Sequence, residues 1–225
     1  MKKLILLITI AFAMIFADRV KAQNIQLLYD TGRGCVTSTV EMFRPDKGGS
    51  TYFFIDMDYT PTITGAYWEI AREFNFWQDS KLGWLSAHIE YNGGLTTGFS
   101  FNNNYLLGAT YSGHSKDFSK TWSLSALYKA IPGLEGSNMH TFQITGVWGI
   151  QFAKGWCSFS GFFDFWQEAG TPIFISEPQF WVNLNKIKGW EDVNLSIGGE
   201  VELGYNFGGL EGFKVFPAVG AKWTF

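Results

Sequence analysis

Cysteine and histidine are nearly absent from this chain: Cys35 and Cys157 are the two thiols in 225 residues, and His88, His114 and His140 the three imidazoles. That scarcity excludes a disulfide-dense scaffold and leaves no Cys/His spacing of the kind that holds zinc. No phosphate loop or nucleotide motif occurs, and Gly93-Gly94 reads as a plain loop. Basic residues are in the minority, 17 against 20 acidic ones, which excludes a nucleic-acid-binding surface. Neither a metal nor a cofactor is expected. Beyond residue 22 no apolar run reaches the ~18 residues that a membrane-spanning helix needs. No helical period of 3.6 competes over any long stretch there. Low-complexity tracts, close repeats and domain boundaries are missing as well.

What is present begins at the N-terminus. Lys2 and Lys3 precede the apolar run Leu4 to Phe16, and Val20-Lys21-Ala22 offers a small-residue cleavage site before Gln23. This is the layout of a secretory signal peptide. Residues 1–22 are expected to be removed and 23–225 to form one domain. No Cys follows the cleavage site, so a lipid anchor is not expected. Loss of Lys2, Lys3, Arg19, Lys21 and Asp18 leaves 13 basic and 19 acidic side chains, moving the net charge from -3 to -6.

The composition is aromatic, 18% Phe, Trp and Tyr, with 26 glycines, yet mean hydropathy is +0.00. A transmembrane barrel produces that average, because lipid-facing and lumen-facing residues alternate. The alternation is plain in 193–206, where Val193, Leu195, Ile197, Val201, Leu203 and Tyr205 share one face. Asn194, Ser196, Glu200 and Glu202 share the other. Period-two matching places strands near 24–30, 35–43, 51–59, 65–77, 85–92, 104–112, 119–129, 140–152, 157–168, 173–185, 193–206 and 213–225. The expected fold is all-β: a transmembrane antiparallel up-and-down barrel of about twelve strands, with ten as the alternative because the first connector, 31–34, is very short.

Connector parity supports an even count. With both termini periplasmic, 44–50, 78–84, 113–118, 153–156 and 186–192 are periplasmic turns, while 93–103 and 130–139 are outer loops. Cys35 then begins the second strand at the outer rim and Cys157 the ninth at the periplasmic rim. The apolar band between them is ~25 Å tall, whereas a disulfide needs Cα atoms within ~7 Å. Two free thiols are expected.

The same alternation assigns the lumen. Glu41, Tyr52, Phe54, Asp56, Asp58, Glu69 and Glu73 point inward from strands two to four. His88 and Glu90 follow on strand five, Asp164 and Trp166 on strand nine, and Glu177, Gln179 and Trp181 on strand ten. Glu200 and Glu202 complete the set on strand eleven. Such a wall repels anions and favours cations or neutral polar solutes. Aromatic faces suit planar rings, and Asp, Asn and Gln suit hydroxyls and base edges. Alternatively, the carboxylates form a structural network with Lys214, Lys222 and Arg72. Strict alternation points Arg72 at lipid, where it costs ~2–4 kcal/mol near the midplane. A β-bulge turning it inward beside Glu69 or Glu73 is the expected resolution.

The chain closes on Trp223-Thr224-Phe225, with aromatic and apolar residues at alternate positions before it. This resembles the insertion signal of outer-membrane barrels, read by the barrel assembly machinery, with Trp223 and Phe225 as its anchors. The stretches 39–59 (TVEMFRPDKGGSTYFFIDMDY), 65–73 (GAYWEIARE), 88–95 (HIEYNGGL), 160–166 (SGFFDFW), 176–185 (SEPQFWVNLN) and the closing KWTF resemble an uncharacterised family of outer-membrane barrels similar to Tsx, the nucleoside-specific channel-forming protein. The resemblance implies a monomeric, narrow barrel in the outer membrane of a Gram-negative bacterium, with outer-membrane lipid as its surroundings. It also implies passive uptake of nucleosides or similar small polar solutes, and it carries Phe54, Asp56 and Asp58 over with the matching strand. No enzyme activity is expected. Two other readings stand beside it: a structural or accessory barrel with an occluded lumen, and a membrane-embedded lipid-modifying hydrolase. The hydrolase would have to use His88 with Glu90, and no lipid-facing Ser partners them by periodicity.

Overall fold

The computed structural model describes residues 23–225. The expected leader, residues 1–22, lies outside the described residues. Twelve antiparallel strands follow one another: β1 (Gln23–Asp30), β2 (Cys35–Asp46), β3 (Gly49–Tyr59), β4 (Ile63–Phe74), β5 (Leu85–Thr96) and β6 (Ser100–His114). The second half comprises β7 (Lys120–Ala130), β8 (His140–Phe152), β9 (Cys157–Glu168), β10 in two pieces (Thr171–Ser176 and Gln179–Asn183), β11 (Leu195–Tyr205) and β12 (Phe213–Thr224). Each strand pairs with its sequence neighbours. β12 returns to β1 with Asn24 opposite Thr224 and Asp30 opposite Ala218, so the sheet closes on itself. Closure leaves no strand edge with unpaired N–H and C=O groups, the condition for a sheet to stand in hydrocarbon.

β10 is one strand despite its break. Ser176 faces Phe163 and Gln179 faces Ser160, so the register to β9 is unchanged across the gap. The register to β11 is likewise continuous, with Ser176 opposite Leu203 and Gln179 opposite Glu200. Pro178, which has no N–H to give the ladder, causes the break. The twelve expected strands are therefore the twelve observed, with ends displaced by a few residues.

Alternation sorts the two faces. On β1, Gln26, Leu28 and Asp30 are buried while Ile25, Leu27 and Tyr29 are exposed. Outward Leu107 and Phe142 are 59% and 74% exposed, an arrangement that only a lipid surround makes favourable. Exposed Trp84, Trp122, Trp156, Trp190 and Trp223 ring the end that carries both termini; Tyr29, Tyr105, Tyr128 and Tyr205 ring the opposite end. Aromatic girdles at two heights mark the two interfaces of a bilayer.

One expected connector is corrected. Residues 93–103 are not a long loop: β5 runs on to Thr96 and β6 begins at Ser100, leaving a tight hairpin at 97–99. A register shift between Asn92 and Gly94 absorbs the irregularity of Gly93-Gly94 inside the ladder. Of the remaining connectors at the end opposite the termini, 31–34, 60–62 and 169–170 are short, while 131–139 and 206–212 are longer. Cys35 and Cys157 are both free thiols, as their opposite rims require.

Candidate functional site

Cross-strand pairing arranges the inward side chains in rows. On one wall Glu41, Phe54, Glu69, Asn92 and Asn104 stand side by side across β2 to β6. A second row, nearer the end opposite the termini, runs Thr39, Asp56, Tyr67, Gly94 and Phe101. The facing wall carries Gln143 beside Trp166 and Thr145 beside Asp164. Beyond them Gln179 stands beside Glu200, and Glu202 beside Phe216.

These walls enclose a cavity of about 550 Å³ in the half of the lumen away from the termini. Of the sequence candidates, Phe54, Asp56, Asp58 and Glu69 line it from β3 and β4; Asp164, Trp166, Glu177, Glu200 and Glu202 line it from β9, β10 and β11. Glu41, Tyr52, Glu73, His88, Glu90, Gln179 and Trp181 stand on inward positions of the rows but outside this cavity.

Trp181 shows why the cavity stops. It has no exposed surface at all and clusters with Leu28 and Ala218. Its cross-strand neighbour is Gly198, which faces Gly220, which in turn faces Leu28. Two side-chain-free positions in a row leave room for the indole. An added Cβ at Gly198 would meet the Phe180 carbonyl oxygen at 1.9 Å, and one at Gly220 the Leu27 carbonyl oxygen at 2.0 Å. Trp181 Nε1 donates to Gln179 Oε1 at 2.9 Å, and the Lys222 ammonium sits 4.5 Å from the ring centroid. Trp181 is therefore a packed floor, not an open lining.

Arg72 is corrected outright. It keeps strict alternation, opposite Thr51 on the outer face, with no bulge in its part of β4. Its guanidinium donates to both Asp46 carboxylate oxygens, at 2.6 and 2.9 Å, and to Thr51 Oγ1 at 3.0 Å. Asp46 sits at the end of β2, so the pair lies at the rim, where water and headgroups solvate it, and not at the hydrocarbon midplane. No inward turn is needed.

Polar contacts hold the cavity wall. Thr39 Oγ1 donates to Asp56 at 2.5 Å, Tyr67 OH to Glu69 at 2.6 Å, and Gln179 Nε2 to Glu200 at 3.0 Å. Thr145 Oγ1 donates to Asp164. Two cations line the space that were not among the sequence candidates. Arg33, from the 31–34 connector, pairs with Glu202 and with Asp30 and lies 4.2 Å from the Phe216 ring centroid. Lys129 Nζ donates to Gln143 Oε1 at 2.7 Å and sits 3.7 Å from the Trp166 ring centroid. Alternation along β7 already carries the signal for Lys129: Ser125 and Leu127, both buried, share its face. Arg33 has no such signal, because it stands on a turn. Among the described residues Lys214, Lys222 and Arg72 form no ion pair with the lumen carboxylates within 4.0 Å; Lys222 lies over the Trp181 ring instead.

His88 sits deeper, between Thr110 Oγ1 at 2.9 Å and Glu90 Oε2 at 3.0 Å, with Ser125 Oγ 2.7 Å beyond Thr110. A hydroxyl, an imidazole and a carboxylate in line suggest nucleophilic chemistry. Thr110 has no exposed surface, however, and none of Thr110, His88, Glu90 and Ser125 lines the cavity, so a substrate in the cavity does not reach them. The chain of bonds satisfies buried polar groups of the wall.

Among curated proteins no relative matches this chain. Among solved structures, the KdgM porin is similar at a TM-score of 0.53 and 10% identity, covering 91% of this chain and 99% of its own. The KdgM porin in complex with disordered oligogalacturonate is similar at 0.52 and 10%, with the same coverage. The NanC porin is similar at 0.57 and 7%, covering 91% of this chain and 100% of its own. At such identities the likeness is one of fold: the closed twelve-stranded antiparallel barrel of outer-membrane porins. A family model matches residues 22–225, and the chain belongs to that family, described as Domain of unknown function (DUF5020).

Proposed function

We propose that the protein is an outer-membrane channel for passive uptake of small polar solutes that are neutral or cationic, nucleosides among them. One observation carries this reading: a cavity of about 550 Å³ inside a membrane-spanning barrel, lined by seven carboxylates and only two cations, with aromatic rings between them. Carboxylates on a confined wall favour cations over anions, and the rings offer stacking surface to planar solutes. Oligogalacturonate, bound in one KdgM structure, is a polyanion, and this lumen has the wrong sign for it. Export through the leader at residues 1–22 belongs to the same proposal, with assembly through Trp223 and Phe225 by the barrel assembly machinery. A monomeric state fits a sheet that has no free edge.

Reconstitution in planar bilayers under a salt gradient tests the reading. The expected result is a reversal potential of cation-selective sign, together with faster liposome swelling by nucleosides than by size-matched sugars or galacturonate. Equal swelling by nucleosides and sugars removes the nucleoside assignment. Absence of any conductance favours the second reading, an accessory barrel with an occluded lumen, which the complete burial of Trp181, Gln26 and Leu28 supports.

A further inference from the structure

We infer that the β3–β6 wall of the cavity is a binding site for a small organic cation, a protonated amine carried on an aromatic body. The inference deepens the channel reading by naming its solute class. It begins with charge balance. Of the carboxylates lining the cavity, Glu202 alone is ion-paired, with Arg33, among the described residues. Lys129 stays on Gln143 and Trp166. Asp56 and Glu69 each accept one hydroxyl, from Thr39 and Tyr67, which leaves further lone pairs on both facing the cavity. A compact metal ion does not complete them: among the described residues no group of three or more His, Cys, Asp or Glu side chains is gathered closely enough to hold one.

The second observation is independent of charge. Asn92 stands in the row beside Glu69 and lines the cavity, yet it is 1% exposed and its Oδ1 has no hydrogen-bond partner. A buried acceptor without a donor is costly. An N–H from a bound ammonium supplies the missing donor at the position where the carboxylate beside it supplies the countercharge.

The third observation is a free aromatic strip. Phe54 and Tyr67 have ring centroids 5.9 Å apart, and Tyr67 and Phe101 5.8 Å. Asp56 and Glu69 alternate with these rings in the same two rows. The face of Trp166 is already taken by Lys129, but no cation of the protein sits on Phe54, Tyr67 or Phe101 among the described residues. Rings of this kind attract cations as well as stacking on other rings.

Isothermal titration of the detergent-solubilised barrel with tyramine, tyrosol and 4-hydroxyphenylacetate tests the inference, because the three share one phenol and differ in charge. Tyramine is expected to bind about tenfold more tightly than tyrosol, the ratio that one charge-assisted hydrogen bond produces, and the acid most weakly. Asp56→Asn and Asn92→Leu should each lower tyramine affinity about tenfold and lower tyrosol affinity by clearly less, so that the preference for the amine shrinks. Heat-modifiable gel migration verifies that each variant is a folded barrel. Equal affinities for the three ligands overturn the inference on the wild-type protein alone, whatever the variants do. So does tyramine binding that ignores both substitutions. Tyramine binding without conductance would leave this site standing and defeat the channel; conductance without tyramine preference would do the reverse.

Discussion

At the scale of single residues, Trp181 packs the floor of the cavity. Its indole fills the space that Gly198 and Gly220 leave, and Leu28 and Ala218 close around it. Cutting this side chain back removes the packed floor beneath the cavity. Trp181→Ala is expected to raise single-channel conductance several-fold over wild type in planar bilayers, with the cation preference kept. An unchanged conductance would place the constriction elsewhere. The cost in stability is about 3–5 kcal/mol if the site behaves as an apolar core, and urea unfolding in liposomes reads it. Arg72 teaches the opposite lesson. Its hydrocarbon cost at the midplane argues for an inward turn, but the residue sits near the end of its strand, within reach of Asp46 on the neighbouring hairpin. Position along the strand, not face alone, sets the cost of a charge.

At the scale of elements, the turn between β6 and β7 is held by one carboxylate. Ser115 Oγ donates to Asp117 Oδ1 at 2.6 Å, Ser119 Oγ at 2.9 Å and the Ser119 N–H at 3.1 Å. The bond from Ser115 is the largest cause holding the Asp117 carboxyl down at about 2, followed by those from Ser119. A depressed carboxylate stabilises its turn above the ordinary value of about 3.9 and loses that contribution as pH falls through the depressed one. The turn is therefore expected to hold at pH 5 and to loosen between about 4 and about 2. Carboxyl-detected NMR of Asp117 checks the midpoint, and Asp117→Asn should abolish the acid-side change in amide exchange at Ser119. Elements are also where the sequence was most legible. Period-two alternation located all twelve strands because lipid on one side and a polar lumen on the other demand opposite chemistry at successive residues. It put Asp56, Asp58 and Glu69 on the cavity wall for the same reason. It failed at 93–103, where two glycines read as a loop although the ladder accommodates them with a register shift. It could not find Arg33, since a turn has no period. Nor could it tell that Trp181 is covered, because burial inside a lumen depends on which strands lie across from one another.

At the scale of the whole molecule, charge is sorted between the two ends. Lys47, Lys81, Lys116, Lys154, Lys186 and Lys188 stand in turns of the end that carries the termini. Arg33 is the one basic residue in the opposite connectors, and it is engaged with Glu202 and Asp30. Trypsin should therefore leave the barrel intact on whole cells and cut it in opened cells or in liposomes that expose the terminal end; peptide mapping would place the cuts after these lysines. Cleavage on intact cells would reverse the assigned orientation. The short outer connectors have a consequence of another kind. Segments such as 60–62, 97–99 and 169–170 barely clear the strands they join, so a bacteriophage fibre or an antibody approaching through surface polysaccharide finds footholds mainly at 131–139 and 206–212. A barrel built this way leaves little protein standing clear of the membrane on that side for anything to grip.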